Sequence, residues 1–255
     1  MSPHPPTRLL VNGLDVEVQV DAHLLEAVLV PFLTEVAARP RASRRAFVFM
    51  VGPPGVGKST LAAVMADAAG RAPHPLAVQA VGIDGFHLPH DHLATHYVST
   101  PSGAVPLSAF KGAPQTFDVE GLARHLDASA ERDLAWPAYD RRVHDVVPDA
   151  APVTADLLVV EGNWLLLDEP GWRDLVDHAS GVVLLTADPA LLRKRLIERK
   201  VRGGLDPAEA AAFFERSDRP NIDRVLGSSD FSTVDLALAV QNDGTIQTIQ
   251  QGEMR

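Results

Sequence analysis

The apolar run AFVFMV, Ala46 to Val51, breaks off at Gly52-Pro53-Pro54-Gly55-Val56-Gly57-Lys58-Ser59-Thr60. Six apolar residues ended by Gly-Pro-Pro-Gly have the length of a buried strand, too short for a helix. From Ser59 to Gly70 the apolar residues return at helical spacing. A strand, a glycine-rich turn and a helix in that order form the setting in which G-x-x-x-x-G-K-[ST] binds phosphate. Glycines let backbone N–H groups curl around phosphate oxygens, and the helix N-terminus adds a positive dipole end. In this chemistry Lys58 reaches the β- and γ-phosphates and Ser59 sets its hydroxyl on Mg²⁺. Residues 52–60 are therefore expected to bind a nucleoside triphosphate, read as ATP with Mg²⁺.

The rest of the chain repeats the strand–helix alternation. Leu76–Ile83, Leu157–Val160, Val182–Thr186 and Val234–Val240 read as further strands, and Gly244 can turn the last into a terminal hairpin. Val119–Glu131, Pro189–Val201 and Pro207–Arg216 read as helices. This order predicts an α/β fold, a doubly wound parallel sheet of about five strands with helices on both faces. Ahead of it, Leu9–Val20 alternates around Asn12-Gly13 as a hairpin and His23–Ala38 reads as a helix, giving an N-terminal extension over residues 1–45. Residues 39–45, RPRASRR, read as a solvated basic linker, and residues 88–116 as a long functional loop. No internal repeat or domain boundary stands out, so residues 1–255 are expected to form one domain.

The chain has no cysteine, which excludes disulfides, thiolate catalysis and Cys-type zinc sites. A formal net charge of −10 speaks against a broad nucleic-acid footprint. The Pro-rich start has no apolar signal-peptide region, and no apolar run is long enough to span a membrane. A cytoplasmic enzyme with a small-molecule partner is expected. The sequence leaves room for a homodimer without specifying one.

Three sets of charged residues suggest what is done with the phosphate. Asp84 follows a strand in GIDGFH, where open α/β sheets present their sites, and can take a proton from an acceptor hydroxyl. Asp-Gly is also ordinary turn chemistry. Glu161 ends the strand LLVVEG and can help hold Mg²⁺ through water, or simply face solvent. Arg195, Arg199 and Arg202 are spaced four and three apart, so they share one helix face ahead of Gly203-Gly204. They can clamp a transferring phosphoryl group with a lid at about residues 199–206, or form a basic helix end favoured by the macrodipole.

Several stretches in order from Phe47 to about Leu238 resemble one family. They are GPPGVGKST, Asp84-Gly85-Phe86, KGAPQTFD ending at Asp118, YDRRVH from Tyr139 to His144, VVEGNWLLLD from Val159, and the Arg-rich helix. Together they are similar to the phosphoribulokinase, uridine kinase and bacterial type I pantothenate kinase group of P-loop kinases. EGNWLLLD with DGFH and KGAP-x-TFD looks most like a bacterial branch labelled fructose-transport or nucleoside/nucleotide kinases. The resemblance implies a P-loop NTPase fold with an Arg-rich lid. It implies Asp84 as general base, with Lys58, Arg195 and Arg199 acting on the phosphoryl group. Arg202 and the loop residues Gly52 to Thr60 would hold nucleotide, and Ser59 and Glu161 would hold metal. It also implies an acceptor pocket that includes Asp118, Tyr139 and His144. Arg141 falls where pantothenate kinases carry a histidine, a departure that argues against pantothenate. His87, three residues past Asp84, Lys111 and Asn221 complete the candidate acceptor contacts. The activity implied is transfer of the γ-phosphoryl group to a hydroxyl, with a sugar or sugar-like polyol first, a nucleoside second and pantothenate third. A regulatory NTP-binding switch is the alternative of another class.

Overall fold

The structure is a computed structural model that describes residues 7–11, 14–100, 103–140 and 145–250. Its strands are β1 (Thr7–Val11), β2 (Leu14–Val18), β3 (Ala46–Val51), β4 (Val78–Gly82), β5 (Tyr97–Thr100), β6 (Gly103–Pro106), β7 (Leu134–Asp140), β8 (Asp145–Val153), β9 (Leu157–Gly162), β10 (Gly181–Ala187), β11 (Leu236–Val240) and β12 (Ile246–Ile249). Its α-helices are α1 (Ala22–Leu24), α2 (Val30–Ala38), α3 (Lys58–Arg71), α4 (His90–Thr95), α5 (Val119–Glu131), α6 (Pro189–Arg202), α7 (Pro207–Phe213) and α8 (Arg219–Ser228). The residues fall into two compact units, one of residues 1–81 and 155–255, the other of residues 82–154.

The first unit is built on a six-stranded sheet in the order β12-β11-β10-β3-β9-β4. β3 pairs in parallel with β9 and with β10, and β10 pairs in parallel with β11. The turn at Gly244 brings β12 back antiparallel, so the predicted sheet gains a sixth strand at its edge. Both faces of the inner strands are buried. Ala46, Val48 and Met50 join one core cluster with Leu33, Leu61, Met65, Val159, Val183 and Leu196, while Phe47, Phe49 and Val51 are buried on the opposite face. Continuous apolar runs are what a parallel sheet covered on both sides demands.

Aspartates start several of the helices. Asp21, Asp188 and Asp206 each accept backbone N–H groups of the turn that follows, at 2.7–3.4 Å. Pro189 and Pro207 stand in the first turn, where their missing N–H costs nothing. Between α1 and α2 the helix runs through a π-turn, Leu25–Leu29. β1 and β2 pair antiparallel as expected, while their Asn12-Gly13 turn lies outside the described residues.

Two segments differ from their sequence reading. The basic stretch at 39–45 is not simply solvated, because Arg45 is fully buried with its Nε donating to Ala155 O at 2.6 Å. Arg39 is also tied down, donating to Ser180 O at 2.7 Å and pairing with Glu35 and Asp235. The helix expected at Pro207–Arg216 is α7, followed by a π-turn over Phe214–Asp218 and then by α8. Pro220 interrupts the apolar pattern on paper, yet it occupies the first turn of α8, where proline is tolerated.

In the second unit, residues 88–116 hold α4 and the antiparallel β5–β6 hairpin instead of an unstructured loop. β7 and β8 form a second antiparallel pair with a bulge between Trp136 and Ala138. Pro137, Pro148 and Pro152 hide this pair in the sequence, but in a two-stranded ribbon every strand is an edge, and edges accept proline. Trp136, Leu93, Leu122 and Leu126 are buried here, and Trp136 Nε1 donates to Gly82 O at 2.9 Å. Among the described residues, no helix is long and apolar enough to cross a membrane.

Candidate functional site

The glycine loop in the first unit is shaped by close packing and left-handed backbone. Gly52, Gly55 and Gly57 have φ of 150°, 82° and 109°. A Cβ on Gly52 would lie 2.0 Å from Leu185 O, and one on Gly55 would lie 2.8 Å from Leu196 Cγ. Gly57 has open space around it, so the backbone conformation alone selects glycine there. Pro53, Pro54 and Val56 complete the curl between β3 and α3.

Lys58 opens α3 and is 6% exposed. Its ammonium donates to Gly52 O at 2.9 Å, Pro53 O at 3.0 Å and Asn163 Oδ1 at 2.6 Å. Ser59 follows it in the same turn and donates from Oγ to Glu161 Oε1 at 2.6 Å. Glu161 reaches that point because β9 runs parallel to β3, with Glu161 opposite Met50. Thr60 is half-buried beside them. A hydroxyl and a carboxylate at this separation form a hard oxygen pair suited to Mg²⁺. Among the described residues, no group of three or more His, Cys, Asp and Glu could hold a metal, so Mg²⁺ at Ser59 and Glu161 would draw its other ligands from phosphate and water.

Helix α6 packs on the loop. Arg195 donates from Nη1 to Val56 O at 3.2 Å, and Leu196 lies under Gly55. Arg199 and Arg202, further along the same face, are exposed, and Arg202 Nε turns back to Glu198 O at 3.4 Å. Asn221 sits half-buried on α8.

The second unit gathers the other candidates around the 3₁₀ turn Ile83–Phe86. Asp84 is exposed on that turn, while Gly85 is buried, with the position of its missing Cβ only 2.1 Å from Pro137 O. Close approach to β7 thus explains Gly85, whose φ is not positive. The Asp84 carbonyl lies 3.3 Å from the His87 amide and 2.8 Å from His87 Nδ1. A carbonyl only accepts, so Nδ1 carries the proton in this contact and Nε2 of a neutral ring is an acceptor. Burial pushes the His87 imidazole below the usual histidine range; the Asp84 charge opposes this and Lys111 adds to it. His87 Nε2 is shielded from solvent and has no hydrogen-bond partner among the described residues. The ring lies on Phe117 at 3.9 Å between centroids and 5.5 Å from Tyr139, and Lys111 Nζ stands 4.6 Å over the Tyr139 ring.

Asp118 is placed beside this cluster with its carboxylate committed to structure. It caps α5, accepting from Gly121 N at 2.8 Å, while its own amide donates to Phe86 O at 2.8 Å. Arg141 and His144 lie outside the described residues. Asn163 was missed as a site residue by sequence reasoning. Its signal was a lone amide directly after Glu161-Gly162 at a strand end, ahead of apolar Trp164-Leu165-Leu166-Leu167.

No family model matches the chain. The Escherichia coli protein YggC is 43% identical over 87% of this chain and 90% of its own length. A Schizosaccharomyces pombe protein provisionally named as a uridine kinase is 30% identical over 80% of this chain and 87% of its own length. A crystal structure from Silicibacter sp. TM1040, described as a provisional fructose transport system kinase, aligns with a TM-score of 0.71 at 32% identity, covering 81% of this chain and 98% of that one. Bacterial pantothenate kinases match over smaller shares of their length. The chain belongs to the P-loop kinases of the uridine kinase and pantothenate kinase group, in one family with Escherichia coli YggC.

Proposed function

We propose that this kinase transfers the γ-phosphoryl group of ATP, with Mg²⁺, to a hydroxyl of a small molecule, a sugar or sugar-like polyol. The observation that carries the reading is the meeting of Lys58, Ser59, Glu161 and Asn163 at the glycine loop. The loop amides with Lys58, Thr60 and Arg202 would hold the nucleotide, and Ser59 with Glu161 would hold Mg²⁺. Bound together, these supply the transferable phosphoryl group and partial neutralisation of its charge. Arg195 and Arg199 stabilise charge on that group from α6.

Asp84 takes the proton of the acceptor hydroxyl, as an exposed carboxylate at a strand-end turn is able to do. His87 Nε2, without a hydrogen-bond partner among the described residues, suits a second hydroxyl, which favours an acceptor rich in hydroxyls. Lys111, Asp118, Tyr139, Arg141, His144 and Asn221 are the further proposed acceptor contacts. The Silicibacter structure's description supports a sugar, and the fission-yeast relative's name supports a nucleoside as the second reading.

A screen of sugars, polyols, nucleosides and pantothenate for acceptor-dependent ADP release tests this. Release driven by a sugar or polyol supports the reading, release with nucleosides alone selects the second one, and ADP release indifferent to every acceptor supports a regulatory switch.

A further inference from the structure

Lys58 is buried, and a buried cation is costly unless oxygens take the place of its water. Two of the oxygens it reaches, Gly52 O and Pro53 O, belong to the glycine loop itself. The shortest of the three contacts, at 2.6 Å, comes from outside the loop, from Asn163 Oδ1. An ammonium donates and never accepts, so the amide must present its oxygen to Lys58.

The sheet puts Asn163 in that place. Val51 lies opposite Gly162 in the paired strands, so the next residues, Gly52 and Asn163, leave β3 and β9 side by side. The chain beyond Asn163 is anchored as firmly as the strand before it. Trp164, Leu165, Leu166 and Leu167 are all buried, and Leu167 N closes a turn onto Trp164 O at 3.0 Å. Leu167 then forms a bridge with Ser229. The amide is thus a short side chain on a fixed mount, whereas the lysine it holds is long and flexible.

We propose that Asn163 is a positioning residue, whose amide oxygen holds the Lys58 ammonium against the glycine loop, ready to meet phosphate. This rests on the reading of the loop and Lys58 as the triphosphate site. A lysine that is ordered beforehand gives up less rotamer freedom when phosphate arrives. An aspartate here would hold the ammonium as well, but its charge would repel the phosphate groups. The amide orients Lys58 and adds no negative charge.

The test reads Lys58 directly. The chain has four lysines, Lys58, Lys111, Lys194 and Lys200, so the other three serve as internal references. The full chain, without nucleotide, is acetylated by an uncharged reagent that attacks only neutral amines, and each lysine's rate is followed by mass spectrometry. Affinity for a non-hydrolysable ATP analogue is titrated without metal. Asn163→Leu removes the oxygen at similar size; it should label Lys58 about tenfold faster and bind the analogue about tenfold more weakly. Asn163→Asp keeps shape and oxygen, so it tests the proposal even where the apolar variant fails to fold. It should label Lys58 no faster than the parent, yet weaken the analogue by about tenfold or more. Unchanged labelling or unchanged affinity in Asn163→Leu overturns the positioning role, as does faster labelling shared by all four lysines, which marks general loosening. Parental affinity in Asn163→Asp overturns it too, and each of these leaves the triphosphate reading standing. Parental affinity in Lys58→Ala overturns the triphosphate reading of Lys58, and the positioning role with it.

Discussion

Ser59 Oγ donates to Glu161 Oε1 at 2.6 Å, joining the first turn of α3 to the end of β9. The two residues are 102 positions apart in the chain, and the parallel pairing of β3 with β9 makes their meeting a property of the sheet. Glu161→Gln keeps the shape and removes the charge that favours a divalent cation. The Mg²⁺ concentration for half-maximal turnover should rise by about tenfold or more, with metal-free nucleotide binding little changed. Equal Mg²⁺ dependence in variant and parent sinks the metal role of Glu161.

Asp84→Asn separates binding from proton transfer. ATP affinity should stay close to the parent value, because the nucleotide is assigned to the loop and Lys58. Acceptor-dependent turnover should fall by ~10²–10⁴, the usual range for a lost acid–base residue. Lys58→Ala should damage both. Loss of ATP affinity with intact turnover reassigns Asp84 to the nucleotide.

Stability should fall on the acid side because of His87. Its folded-state pKa lies below the unfolded value, through burial first. Below about pH 6.5 the unfolded chain therefore binds the proton more readily, and stability drops as pH falls toward the depressed folded value. His87→Gln should flatten the decline in melting midpoint between about pH 7 and about pH 5. His125, also depressed by burial, adds a decline of the same sign, so the His87 variant should remove only part of the slope. An identical slope in variant and parent counts against a neutral His87.

Two alanine substitutions in the glycine loop should differ in cost. At Gly57 only the left-handed backbone objects, so Gly57→Ala should lose about 1–2 kcal/mol in urea unfolding. At Gly52 the new Cβ meets Leu185 O at 2.0 Å, and β10 or the loop must move. Gly52→Ala should lose clearly more stability than Gly57→Ala; equal losses overturn the packing account.

The nucleotide half of the molecule was easy to read from sequence because its signals are local. AFVFMV, the glycines and Lys58-Ser59 are contiguous, and a parallel sheet turns each strand into an unbroken apolar word. Glu161 was also readable, as a carboxylate at the end of such a word. Asn163 was harder, because its partner Lys58 is 105 positions away and one amide has no periodicity. The β7–β8 ribbon was illegible since Pro137, Pro148 and Pro152 imitate a loop. The burial of Arg45 was equally hidden, because a cation in RPRASRR gives no sign that a distant carbonyl, Ala155 O, awaits it. Asp118 shows the opposite limit: its place before a helix was visible, but not that its carboxylate closes the helix start.

Residues 82–154 form their compact unit from one uninterrupted stretch of chain, entered at Gly82 and left at Thr154. The proposed base Asp84 and the proposed contacts His87, Lys111, Asp118, Tyr139, Arg141 and His144 all belong to that stretch, whereas the glycine loop, Glu161, Asn163 and α6 lie outside it. A graft between two relatives thus needs only two junctions to exchange nearly the whole proposed acceptor set as a cassette. Descent can use the same economy, altering what is phosphorylated by editing one interval of the gene while the interval that handles the triphosphate is inherited intact.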